Sequence, residues 1–292
     1  ENIPIAWRTF ECYIWFFFTP LIFLTASPKT WKRQHFDVLL SLFTIGEAIY
    51  LANLFIFGIY RMVKTGDSSY MYNNFFCYNS HHAYTALYIT FAYLLIFEWL
   101  INHQHEMPTR RIIGLYLLEL YFAVGVFCVY SRAGILTFLF MHTLWCGYAD
   151  YRKRSRWKYM IALFLFIAGL FTTLVLTSPS NRFTEVSIFF RHKHDDHKET
   201  DSRWIIWQAA WDGAVENLPW GVGTGDGNDV VVEKYHENGH WLKRNHPYNA
   251  HNQLLFSLLT NGILGLILTI LYFITPLCTG IKHRDFMLIS IS

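Results

Sequence analysis

Three side chains in this sequence stand out for chemistry: Arg132, Arg203 and His251. Arg132 sits in Tyr130-Ser-Arg-Ala-Gly134, a tight connection between two apolar stretches. A guanidinium at mid-membrane costs roughly 2.5–3.5 kcal/mol on insertion scales. It therefore either snorkels to the interface or faces the protein interior as an anion site, and the scarcity of other basic residues in the short loops on its side favours the anion site. Arg203 opens Asp201-Ser-Arg-Trp-Ile-Ile-Trp-Gln-Ala-Ala-Trp-Asp-Gly213. Here the unpaired N–H groups and positive dipole of a helix start favour phosphate, and the guanidinium fork matches two oxygens of a diphosphate. The plainer alternative is a solvated surface arginine. His251 lies in Asn249-Ala-His-Asn-Gln-Leu-Leu255, at the mouth of an apolar run. An imidazole there can be neutral and basic at working pH, or can merely cap the helix that follows.

Secondary candidates are His81, His82 and Tyr84, ahead of the third apolar stretch, and Asn252 beside His251. The run Arg191-His-Lys-His-Asp-Asp-His197 offers metal-ligating types, but at mixed spacing within a charged stretch it reads as solvated, so no metal site is expected. Leu218-Pro-Trp-Gly-Val-Gly-Thr-Gly-Asp-Gly227 lacks the GK[ST] ending of a nucleotide loop and reads as turns that let backbone pack closely. Glu47 and Asn53 fall inside an apolar run and read as polar contacts between helices.

What positions these residues is a membrane bundle. The chain is 53% hydrophobic and only 15% charged, against about 25% charged in soluble domains. The five cysteines form no CxxC pair and mostly lie in apolar runs, so they read as small hydrophobes. Without a basic face interleaved with polar residues, nucleic acid is excluded as a partner. Crossing about 30 Å of hydrocarbon takes roughly 20 helical residues. Seven runs qualify: Phe10–Ala26, Phe36–Tyr60, His82–Ile101, Ile112–Tyr130, Gly134–Ala149, Tyr159–Thr177 and Asn252–Thr279. If they alternate, twelve lysines and arginines share one side, in the loops 27–35, 103–111, 151–158 and 281–285. The positive-inside rule makes that side cytoplasmic and leaves 178–251 outside.

The expectation is an all-α polytopic bundle with helices over 1–177, a large periplasmic loop with short helices at 178–251, and a re-entering span with the start of another over 252–292. Trp204, Trp207 and Trp211 share one helical face, which suits either a site helix or one lying on the membrane surface. The absence of an initial Met and the apolar ending at 286–292 suggest a piece of a longer protein.

Four pieces, in this order and topology, resemble the O-antigen ligase and polymerase superfamily of bacterial inner membranes. They are Ser-Arg-Ala-Gly at 131–134, Arg203 with Trp207 in the long loop, Pro219-Trp-Gly-Val-Gly-Thr-Gly225, and His251-Asn-Gln-Leu-Leu followed by Asn261-Gly-Ile-Leu-Gly265. The resemblance implies metal-independent, cofactor-free, inverting transfer of an undecaprenyl-diphosphate-linked glycan to a hydroxyl of lipid A core or a similar acceptor. Arg132 and Arg203 would hold the diphosphate and His251 would act as general base. A polymerase, with another glycan repeat as acceptor, is the near alternative. A transporter is the distant one.

Overall fold

The computed structural model describes residues 2–25, 32–72, 75–151, 203–239, 250–283, 285 and 288–289. The elements are α1 (Ile3–Thr25), α2 (Arg33–Thr65), α3 (His82–His103), α4 (Thr109–Val129), α5 (Arg132–Tyr151), α6 (Arg203–Glu216), α7 (Gly227–Glu237) and α8 (Gln253–His283), with short 3-10 turns at Ser68–Met71 and Gln104–Glu106. No strand occurs among the described residues. The all-α expectation holds. Four helices are long and apolar enough to cross a membrane: Gln34–Thr65, His82–His103, Thr109–Val129 and Gln253–His283. The expected first and fifth spans also form helices. The sixth span, the basic stretch 152–158 and the histidine-rich run 191–197 lie outside the described residues, as do 240–249. The chain divides into two compact units, Trp31–Arg191 and Glu1–Thr30 with His192–Ser292.

In the first unit α3 is the central helix. Ala86, Ile89, Ala92, Tyr93 and Phe97 are buried along it, whereas α2 leaves Leu42, Ile45, Ile49 and Ile56 exposed. That contrast is expected of a bundle whose outer surface meets lipid instead of water. Helices α3 and α5 run in the same direction. Ala86 packs at Gly134 near both helix starts, Tyr93 donates or accepts at His142 Nδ1 over 2.7 Å further along, and Phe97 meets Trp145 beyond that. Glu119 of α4 is also buried in this core. Asn53 accepts a hydrogen bond from Tyr78 at 2.8 Å, so its contact is with the α2–α3 connection and not with another helix.

The α4–α5 connection is built by its residue types. Tyr130 takes a left-handed conformation (φ 55°) to end α4, and Ser131 Oγ then accepts from Gly134 N–H at 3.2 Å, capping α5 three residues ahead. The cap starts α5 at Arg132, two residues earlier than the hydropathy alone suggested. Gly134 is required because a Cβ there would overlap Ala86 Cβ. Ser131 and Gly134 are buried, so Ser131→Ala leaves a buried donor without its acceptor. We expect a loss of about 1–2 kcal/mol, read as a lower thermal unfolding midpoint in detergent, with Ser131→Asp retaining most of it.

In the second unit α6 turns a small-residue face inward. Ile206, Ala209, Ala210 and Ala214 are buried against Val231 and Tyr235 of α7 and Leu258 and Leu259 of α8. Gly213 permits the closest approach, since a Cβ there would lie 2.7 Å from Val230 and 3.2 Å from Leu259. Lys234 ties the corner, reaching Glu216 at 2.6 Å and Glu237 at 2.7 Å, and both carboxylates raise its pKa.

Helix α8 is not one span. Gly262 adopts φ 63°, ψ −155° and divides it. In an unbroken helix Leu259 C=O would accept from Ile263 N–H. Instead Ile263 N–H donates to Pro219 O at 3.0 Å, and Val222 and Gly223 N–H donate to Leu259 O at 2.9 Å and Thr260 O at 2.8 Å. The segment 253–261 therefore belongs to the packed core with α6 and α7, while 263–283 supplies about 31 Å of helix, one membrane thickness. The run drawn as a span over Asn252–Thr279 therefore holds two helical segments, divided at Gly262.

Candidate active site

His251 is held from both sides. It takes a left-handed backbone (φ 49°), uncommon for a residue with a Cβ. The preceding Ala250 is fully buried, and its carbonyl accepts from Trp207 Nε1 at 2.8 Å. The following residue, Asn252, caps α8: its Oδ1 accepts from Leu255 N–H at 3.2 Å. The helix-capping duty in this motif thus falls to Asn252 and not to His251. The imidazole is left on an exposed residue whose backbone is fixed at both neighbours. The same local device recurs at Tyr130-Ser131-Arg132, where a left-handed residue and a capping side chain deliver Arg132 to the first turn of α5.

Arg203 is the first residue of α6, the helix that also carries Trp207. The structure therefore brings Arg203, His251 and Asn252 into one unit, with the Trp207–Ala250 hydrogen bond as the link. Of the three tryptophans on the shared face, Trp204 and Trp211 are exposed, whereas Trp207 is half-buried. The sequence treated the three alike because spacing reports a face and not a partner. No spacing rule would have found the Trp207–Ala250 bond.

Arg132, His81, His82 and Tyr84 gather in the other unit, at the end where α3 and α5 begin. Arg132 is half-buried. His81 and His82 stack with ring centroids 4.5 Å apart, and Tyr84 lies 5.4 Å from His81. Burial pushes the thiol of Cys77, close by in the chain, up to about 11, against smaller opposing effects of hydrogen bonds with Thr85 and Ser80, which disfavours the thiolate.

Two of the sequence pieces meet in the second unit. Gly221, with φ 78°, packs flat on the α8 break, where a Cβ would lie 2.6 Å from Gly262 N and 2.7 Å from Thr260 C. The reading of the Gly-rich stretch as close-packing turns is the arrangement found. Among the described residues no three His, Cys, Asp or Glu side chains gather as a metal ion would require.

The O-Antigen ligase family matches residues 117–270, just over half of the chain. No curated protein and no solved structure matches it. The matched stretch runs from within α4 to beyond the glycine break, so the capped Ser-Arg-Ala-Gly turn, α6, the Gly-rich turns and His251 all lie inside it. This membrane protein belongs to the O-antigen ligase family.

Proposed function

We propose that this chain moves a glycan from undecaprenyl diphosphate to a hydroxyl of lipid A core, or a like acceptor, at the periplasmic face of the inner membrane. The observation that carries the reading is the reach of the family match, which takes in Arg132, Arg203 and His251 together. In the proposed step the acceptor oxygen bonds to the anomeric carbon and the bond from that carbon to the diphosphate oxygen breaks. The hydroxyl proton passes to His251, because a sugar hydroxyl is too weak an acid to ionise beforehand. The leaving diphosphate gains negative charge, which Arg132 and Arg203 stabilise. Attack opposite the leaving group inverts the anomeric centre. The donor arrives activated, so neither nucleotide nor metal is called for, and transfer is expected to survive exhaustive chelation.

A broken helix is also a device of transporters, where freed backbone carbonyls coordinate ions. Here the carbonyls of Leu259 and Thr260 accept from Val222 and Gly223 N–H, and Pro219 O takes Ile263 N–H. These partners tie the break to the packing of the Gly-rich turn, which supports a structural role for it over ion coordination.

The test is deletion of the gene in its host followed by gel analysis of lipopolysaccharide. Loss of all glycan-capped lipid A core supports the ligase, whereas a single attached repeat assigns the chain to polymerisation. Complementation with Arg203→Ala or Arg132→Ala is expected to lower transfer about 10²–10³-fold, with normal membrane insertion by fractionation. Full capping by either variant would remove that arginine from diphosphate binding.

A further inference from the structure

A groove of about 800 Å³ opens along the Gly-rich turns and both segments of α8. That volume falls in the range of about 300–1,000 Å³ typical of small-molecule sites. None of the described residues lining it carries a charge. Its polar wall is made of Gln253, Ser257, Asn261 and Thr269, and its apolar wall includes Phe256 and Leu264. Gln253 Nε2 is engaged with Ser257 Oγ at 3.3 Å and Asn261 Nδ2 with Thr260 Oγ1 at 2.9 Å. Each amide is therefore oriented by its N–H. Trp220 lines the loop side and is 84% exposed, a large indole with little protein covering it.

These features select among ligands. A diphosphate needs cations, and none of the described lining residues supplies one. An acyl chain would use only the apolar wall and gain nothing from the polar one, where Ser257 Oγ also accepts from Thr269 Oγ1 at 2.9 Å. A sugar ring meets both walls: its hydroxyls pair with amides and hydroxyls around the edge, while its C–H face lies on an aromatic or apolar surface. Gln253 of the lining stands two residues after His251 in the chain.

We infer that this groove is a subsite for an uncharged sugar unit of the substrate glycan, distinct from the residues that take the diphosphate. The inference rests on the glycan-transfer reading and assigns part of the substrate to residues outside the Arg132, Arg203 and His251 set. The test uses the full chain in lipid nanodiscs with two surface variants. Trp220→Ala removes the exposed indole, and Thr224→Trp fills the groove from its rim. Each is expected to raise KM for one glycan substrate about tenfold, the loss of roughly one good contact, while kcat stays within about twofold. The second readout is saturation-transfer NMR with the glycan cut free of its lipid by mild acid. The wild type should bind it, and both variants should lose the signal. Unchanged KM and unchanged NMR signal in both variants would overturn the subsite, as would displacement of a spin-labelled acyl lipid, and not the sugar, by Thr224→Trp. If the wild type binds the free glycan but transfers nothing, the transfer reading fails while the NMR comparison still decides the groove.

Discussion

Replacing His251 by alanine is expected to lower glycan transfer about 10²–10⁴-fold, the usual worth of a positioned general base. The protein should still insert in the membrane, because His251 is exposed and the residues on either side hold the backbone in place. Ala250 supplies the buried carbonyl and Asn252 supplies the cap. The wild-type histidine already bears the cost of a Cβ at φ 49°, so alanine loses only histidine's modest preference for left-handed backbone. Asparagine tolerates that conformation well, so His251→Asn removes the imidazole without added backbone strain. Its thermal midpoint should stay at the wild-type value or above while transfer is as low as in His251→Ala. Transfer near the wild-type rate in His251→Asn would take the histidine out of the mechanism. Trp207→Phe probes the same site from behind: it keeps the ring and removes the N–H to Ala250 O, and should lower kcat by a smaller factor with little change in KM. That pattern would mark Trp207 as a positioning residue.

Much of what frames the candidate site was legible in the sequence. Helix-length apolar runs, the order of the four motif pieces and the placement of arginine and histidine beside apolar stretches are local properties of the chain. So is the use of Gly134, Gly221 and Gly262 where backbones approach. Hydropathy, however, reports only whether a segment is apolar, so it fused 253–261 with the span that follows. The fused run did carry a signal. A helix from Gln253 to His283 would be about 46 Å long, half again the thickness of the hydrocarbon core. The excess length and an internal Asn261-Gly262 pair together mark a break. Partner-specific contacts leave no such trace. The Trp207–Ala250 bond joins residues 43 apart, and Tyr93 with His142 joins residues 49 apart in two apolar helices. Such pairs follow from packing, which a single sequence does not encode in any short window.

The second large effect is expected from Gly262→Ala. The conformation φ 63°, ψ −155° belongs to the region that is essentially restricted to glycine, and a Cβ there would run into Pro219 O. The chain then has two ways to relieve the clash. It can push the 217–223 turn away, or it can straighten α8 so that Leu259 and Thr260 pair within the helix. Either way Val222 and Gly223 N–H and Pro219 O lose their partners, and Leu259 and the groove beside it shift out of register with α6 and α7. We expect a destabilisation of this unit by several kcal/mol, the sum of backbone strain and buried polar groups left unpaired. Transfer should fall with it. Hydrogen exchange should show lost protection at Val222 and Gly223, and limited proteolysis should cut within 217–226. Gly221→Ala should behave alike, because its Cβ would meet the same backbone from the opposite side. Gly239→Ala is the control: it has positive φ as well but open space around it, so only the local strain remains. If Gly262→Ala kept full amide protection at Val222 and Gly223, the break in α8 would not be what joins the Gly-rich turn to the helix, and the placement of the groove residues would need another cause.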